Sequence, residues 1–170
     1  MNKADLIKSK IFTSSQIVQR VAQWRVHEKN IAFTNGVFDI LHPGHIYSLS
    51  QAAKEADYLI VGVNADASVK RLKGEDRPVN NQEARALILA SLIIVDAIVI
   101  FEEDTPLELI KTILPDVLVK GGDYTLDQIA GATEVITNGG RVVINPTLEG
   151  ISTTTIISKR SLLDNQAKKS

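Results

Sequence analysis

A chain of 170 residues, 44% hydrophobic and 23% charged, fits one soluble globular domain and can bury a core without staples. Its net charge of −1 gives no general electrostatic case for nucleic acid or an anionic membrane as partner. The absence of cysteine excludes disulfides, thiolate zinc sites and cysteine nucleophiles together.

The first residues, MNKADLIKSKIFTSS, contain no apolar core of signal-peptide length, which fits a cytoplasmic protein. Thr13-Ser-Ser-Gln16 has the form of a capping box, and Ile17, Val21 and Trp24 fall on one face behind it. This predicts an extra N-terminal helix that packs on the domain or on a partner. Strand and helix patterns then alternate. IAFTN (31–35) reads as a strand and PGHIYSLSQAAKEA (43–56) as a helix; YLIVGVN (58–64) is a strand and ADASVKRL (65–72) a short helix. After a polar loop, KGEDRPVNN (73–81), come a helix over 82–92, a strand over 96–101 and a helix over 105–114 with proline in its first turn. DVLVKGGD (116–123) reads as a strand entering a glycine turn. Residues 126–140 are helical but interrupted at Gly131, with Gly139 as a stop. RVVIN (141–145) is the fifth strand, and STTTIISKRSLL (152–163) the last helix. The most apolar stretch, 86–101, is cut by Asp96 and falls short of the roughly 18 residues of a membrane span.

The strands are nearly continuous apolar runs, so both faces of the sheet are expected to be covered. The expected fold is α/β: a doubly wound, five-stranded parallel sheet with an extra N-terminal helix. The expected division is 1–28 helical extension, 29–163 main domain and 164–170 polar tail.

Ligands of such sheets collect at the carboxyl ends of the strands, and the polar clusters TNGVFD, Asn64-Ala-Asp66, KGGD and TLEGISTTT all fall there. Neither a G-x-G-x-x-G nor a P-loop motif is present. His42-Pro43-Gly44-His45 offers another device for phosphate. Pro43 suits a helix start, Gly44 permits close approach, and two imidazoles can donate to phosphate oxygens. A lone helical histidine is more often structural, and zinc is a rival for the pair. The remaining histidine, His27, precedes the sheet, so carboxylates would have to complete a metal site.

His42-x-Gly44-His45 after a strand, with Gly150-Ile-Ser-Thr-Thr-Thr155 opening the last helix, resembles the nucleotidyltransferase superfamily of cytidylyl- and adenylyltransferases. The resemblance covers about residues 30–160. FTNGVFDILHPGH, VNADASVKRLKGEDRPVN, EEDTPLELIKTILPDVLVKGGDY and GGRVVINPTLEGISTT are similar to the branch that adenylylates D-glycero-β-D-manno-heptose 1-phosphate. Relatives often carry cysteine where Val37 stands. The arginine-threonine pair of glycerol-3-phosphate cytidylyltransferases is replaced by Thr147-Leu148. A cytidylyltransferase using CTP and an alcohol phosphate, and a nucleotide-binding module without chemistry, remain as alternatives.

The resemblance implies attack of a sugar phosphate oxygen on the α-phosphorus of ATP, with pyrophosphate leaving. The nucleophile is already anionic, so no protein base is required. His42, His45 and Lys73 are the expected catalytic residues, Lys73 because Gly74 frees its loop. Thr34, Asn35, Gly36, Phe38, Gly44, Gly121 and Asp123 are expected around the nucleotide. Ser152, Thr153 and Thr154 are read as a second phosphate clamp, against the plainer reading of Ser152 as a helix cap. Arg85 is either a nucleotide contact or a buried partner for a carboxylate. Asp39 either orients the sugar or caps the next helix; Arg77 is assigned to the substrate, and Lys120 and Asp123 are placed to bind nucleotide or sugar phosphate, Lys120 being assigned to the substrate. Mg²⁺ is expected to be held by ATP phosphates and water, with no protein metal ligand. A homodimer, with Trp24 as a contact, and a sugar kinase on a separate chain complete the implied partners.

Overall fold

The computed structural model of the chain describes residues 2–146. In chain order the elements are α1 (Lys3–Lys8), β1 (Ile11–Phe12), α2 (Ser14–Val26), β2 (Ile31–Gly36), α3 (Pro43–Ala53), β3 (Tyr58–Asn64), α4 (Asp66–Lys73) and α5 (Gln82–Ala90). They continue as β4 (Ala97–Phe101), α6 (Leu107–Ile113), β5 (Val117–Gly121), a 3₁₀ turn (Leu126–Gln128), α7 (Ala132–Thr137) and β6 (Arg141–Asn145). The predicted helix over 152–163 and the tail lie outside the described residues.

Alternate residues of each central strand enter opposite helical layers, as a period of two requires. Ile31 and Phe33 of β2, Ile60 of β3, Val99 of β4 and Leu118 of β5 join Ile17, Val21, Ile110 and Val135 of α2, α6 and α7. Ala32, Val61, Ile98 and Val119 join Leu49 of α3 and Ala86 and Leu89 of α5 on the other face. Both faces are therefore closed, which is why the strands read as unbroken apolar runs.

All pairings are parallel, in the order β1-β4-β3-β2-β5-β6. The sheet has six strands rather than the expected five. The added one, Ile11–Phe12, pairs with Ile98 and Val99 at an edge and is too short to show a period in the sequence. The capping box forms reciprocally between Thr13 and Gln16. The helix behind it belongs to the core: Ile17 is 0% and Val21 3% exposed. Trp24 stacks on Tyr58 with ring centroids 4.2 Å apart. The apolar face of α2 is thus used within the chain, while Trp24 itself is only partly buried. The segment 126–140 is broken more sharply than its composition suggests. Gly131 takes φ +86°, and a Cβ there would stand 2.6 Å from Ile110 Cδ1.

Chain order reverses between β2 and β5: from β2 the chain runs to β3 and then β4 on one side, and later to β5 and β6 on the other. Their carboxyl ends therefore flank the crevice where a doubly wound sheet binds its ligand.

Candidate functional site

The β2–α3 turn forms one wall of that crevice. A Cβ on Gly36 would lie 2.9 Å from Phe38 Cε2, so glycine lets the Phe38 ring rest against the strand end. Phe38 itself takes φ +49°, unusual for an aromatic residue. Its ring meets His45 edge-on, centroids 5.2 Å apart at 62°. His42 is the N-cap of α3 but makes no side-chain capping bond, and Pro43 occupies the first turn. The imidazoles of His42 and His45 stack with centroids 3.7 Å apart and planes 22° from parallel.

Nδ1 of each ring is buried without a hydrogen-bond partner. Burial holds the His45 pKa down to about 4, assisted by the charges of His42 and Lys73, with the Ile40 backbone opposing. Burial also lowers that of His42. Two stacked rings so close cannot both be charged. At neutral pH the pair is uncharged, and each ring carries one N–H for donation.

The loop over 73–81 is tied to this wall from beneath. Asp39 is 2% exposed and accepts from Arg77 Nε at 2.7 Å and from the N–H groups of Val79 and Asn80 at 2.8 and 2.9 Å. These bonds outweigh burial and hold its carboxyl below the usual range. Asp39 therefore neither faces a sugar nor caps α3; it anchors the loop, and half of Arg77's fork is committed to it. Arg85 is 1% exposed. It donates to the carbonyls of Asn80, Val37 and Asn64 at 3.0, 2.7 and 2.8 Å, and to Asp66 Oδ1 at 2.7 Å. Of the two readings of Arg85 the structure shows the buried carboxylate partner, which braces three site segments: the β2–α3 turn, the β3–α4 junction and the loop before α5. Lys73 ends α4 and is exposed beside Gly74, which takes φ +98°, and its charge is felt at His45.

The opposite wall comes from β5 and β6. Lys120 Nζ donates to Asn35 Oδ1 at 3.2 Å, spanning β5 and β2. It lies 5.6 Å from the centre of the Tyr124 ring, and burial lowers its pKa. Thr34 is 6% exposed, inside β2. Gly44 and Gly121 line the two turns, and Asp123 is exposed beyond the second. Asn145, 8% exposed at the end of β6, keeps a buried Nδ2 without a partner. Asn145, Asn80 and Tyr124 escaped the sequence reading. Their signal is modest: Asn145 is a polar residue closing an apolar strand at the ligand end. Ser152, Thr153 and Thr154 lie outside the described residues.

Among the described residues no three His, Cys, Asp or Glu side chains gather to hold a metal. His27 ends α2 just before β2, at the far end of the sheet from the stacked pair. Asp39 and Asp66 are already engaged by arginines. Among the described residues, then, the stacked histidines have no third side chain beside them to complete a zinc site.

A two-walled crevice at the β2–β5 switch, with donors gathered at a helix start, defines a nucleotide-binding domain of the doubly wound α/β class. A cytidylyltransferase-like family model matches residues 33–159, and the chain belongs to that family. It is 54% identical over 151 residues to the bifunctional protein HldE of Rhodospirillum rubrum, covering 89% of this chain and 30% of that protein. HldE of Rhodopseudomonas palustris (strain BisB18) is 57% identical over 82% of this chain and 28% of the relative. The chain thus spans less than a third of these relatives. The crystal structure of a lipopolysaccharide core biosynthesis protein from Thermoplasma volcanium is similar, with TM-score 0.58 and 28% identity over 71% of this chain and 97% of that one. A pantoate-beta-alanine ligase from Francisella tularensis shares the fold, with TM-score 0.58 and 16% identity over 86% and 74% of the two chains. No helix among the described residues is long and apolar enough to cross a membrane.

Proposed function

We propose that this chain transfers AMP from ATP to D-glycero-β-D-manno-heptose 1-phosphate, releasing pyrophosphate and ADP-heptose for lipopolysaccharide core synthesis. The observation that carries the reading is the stacked, uncharged His42–His45 pair, with unpartnered buried Nδ1 atoms, at the start of α3. Support for the substrate comes from identity of 52–57% to HldE proteins, whose name declares two functions, and from the likeness to a lipopolysaccharide core protein. Of those two functions the reading gives this chain the nucleotidyl transfer. A sugar kinase supplies the 1-phosphate.

In the reaction an oxygen of the sugar phosphate attacks the α-phosphorus. A new P–O bond forms as the bond from the α-phosphorus to the bridging oxygen breaks, and the electron pair leaves with pyrophosphate. The acceptor is an anion at neutral pH, so no base is needed. The chain's task is to align the reactants and meet the charge that develops on the phosphates. His42 and His45 donate to phosphate oxygens. Neutral imidazoles suit this, since they bind the ground-state phosphates weakly and tighten as charge shifts. Lys73, carried beside Gly74, closes on the phosphates, and Arg77 faces the acceptor with the part of its fork that Asp39 leaves free. Thr34, Asn35, Gly36, Phe38, Gly44, Gly121 and Asp123 border the nucleotide, with Ser152, Thr153 and Thr154 as a second clamp. Mg²⁺ arrives with ATP, liganded by phosphates and water. The reading places the enzyme in the cytoplasm as a homodimer, with the partly exposed Trp24 as a contact.

Pyrophosphate release with Mg²⁺, crossing ATP and CTP against heptose 1-phosphate and glycerol 3-phosphate, tests the reading. Release with ATP and the heptose phosphate alone is expected. Release with CTP and glycerol phosphate would overturn the substrates and keep the mechanism.

A further inference from the structure

Two anions must meet in this crevice, and the cations near it are not equally available. Arg71 pairs with Asp104, Arg77 with Asp39 and Arg85 with Asp66, each at 2.7 Å. On the α3 side, the charge of Lys73 is felt at His45. Across the crevice, Lys120 has no carboxylate within ion-pair distance among the described residues, and a neutral amide oxygen, Asn35 Oδ1, is its hydrogen-bond acceptor. A half-buried ammonium without a counter-ion favours an incoming anion.

The aromatic ring over this ammonium is placed as carefully as Phe38 is over the other wall. Gly122 takes φ +122°, and a Cβ there would lie 3.0 Å from Tyr124 Cε2. Glycine therefore lets the Tyr124 ring lie against the turn, 5.6 Å from Lys120 Nζ, while 42% of the residue stays exposed. The exposed tyrosine has an open ring beside a phosphate-seeking ammonium. A sugar 1-phosphate carries its phosphate directly on the ring, and one face of that ring presents C–H groups suited to an aromatic face. An acyclic alcohol phosphate has no such face.

Resting on the adenylyl-transfer reading above, we propose that Lys120 and Tyr124 form the acceptor subsite, Lys120 taking the sugar phosphate and Tyr124 selecting for its ring. Tyr124 is the specificity residue. The test is steady-state kinetics of the full chain with Tyr124→Ala, Tyr124→Phe and Lys120→Met, varying ATP and heptose 1-phosphate separately. Tyr124→Ala is expected to raise KM for the sugar phosphate roughly five- to tenfold and leave KM for ATP unchanged. Tyr124→Phe keeps the wild-type value, because the ring and not the hydroxyl is used. Lys120→Met raises the same KM further. A rise in KM for ATP instead, the mark of a base stacked on Tyr124, overturns the subsite, as does an unchanged pair of KM values. Wild-type protein inactive with heptose 1-phosphate would overturn the functional reading, and the subsite with it. An unchanged melting temperature shows that Tyr124→Ala is folded, as its exposed position leads one to expect.

Discussion

The two ends of one sheet treat their polar groups in opposite ways. At the amino end, three aspartates accept backbone N–H groups at or just before strand starts: Asp57 from Asn30 at 3.0 Å, Asp96 from Leu59 at 2.8 Å and Asp116 from Ile31 at 2.8 Å. At the carboxyl end, His42 Nδ1, His45 Nδ1 and Asn145 Nδ2 are buried with no partner. A buried polar atom without a partner costs about 1–3 kcal/mol, so a fold keeps several together where a ligand is to complete them. One end is built for stability and the other for binding.

Arg85, like Asp39, is an exception that sharpens this contrast, a fully engaged group at the binding end. Arg85→Met strips three backbone carbonyls and Asp66 of a donor at once, and is expected to cost about 3 kcal/mol or more in denaturant unfolding. Turnover falls as well, because the loops at Val37, Asn64 and Asn80 lose their common brace. His42→Asn is expected to lower turnover by ~10²–10³ in a pyrophosphate assay. Its melting temperature should hold, since asparagine is a favoured N-cap and His42 makes no capping bond. Asp116→Ala reverses that pattern. It leaves the Ile31 N–H without its acceptor and costs about 1–3 kcal/mol, while the Michaelis constants stay unchanged.

The smallest effect is a pH slope. Burial holds the pKa of His45 down to about 4 in the folded chain, against about 6.5 for a free imidazole. Between these values the unfolded state binds more protons, so this group makes stability rise with pH across that window and fall as the solution is acidified. Melting temperatures of the ligand-free chain from pH 7 to 5 should decline, and His45→Gln should flatten the decline.

Much of this was legible because apolar runs and turn residues act locally. The five long strands, the capping box at Thr13 and the break at Gly131 all announce themselves within a few residues. The edge strand Ile11–Phe12 did not, because two residues carry no period and its partner is far along the chain. At the site, the paired histidines and the lysine near the end of β5 stood out by residue type. The fates of Asp39 and Arg85 did not. Whether a charged side chain faces a ligand or braces a loop depends on partners such as Asn80 and Val37, which only folding brings together. The hydrogen bond from Lys120 to Asn35 follows from the strand order, which sequence spacing does not reveal.

The most direct test is the turnover of His45→Asn relative to wild type, with ATP affinity measured on the same preparations. A fall in turnover of ~10²–10³ with ATP affinity nearly unchanged is the predicted result, since a neutral donor at this place acts on developing charge. Near-normal turnover by a folded variant would contradict the account, and leave the stacked pair a feature of packing.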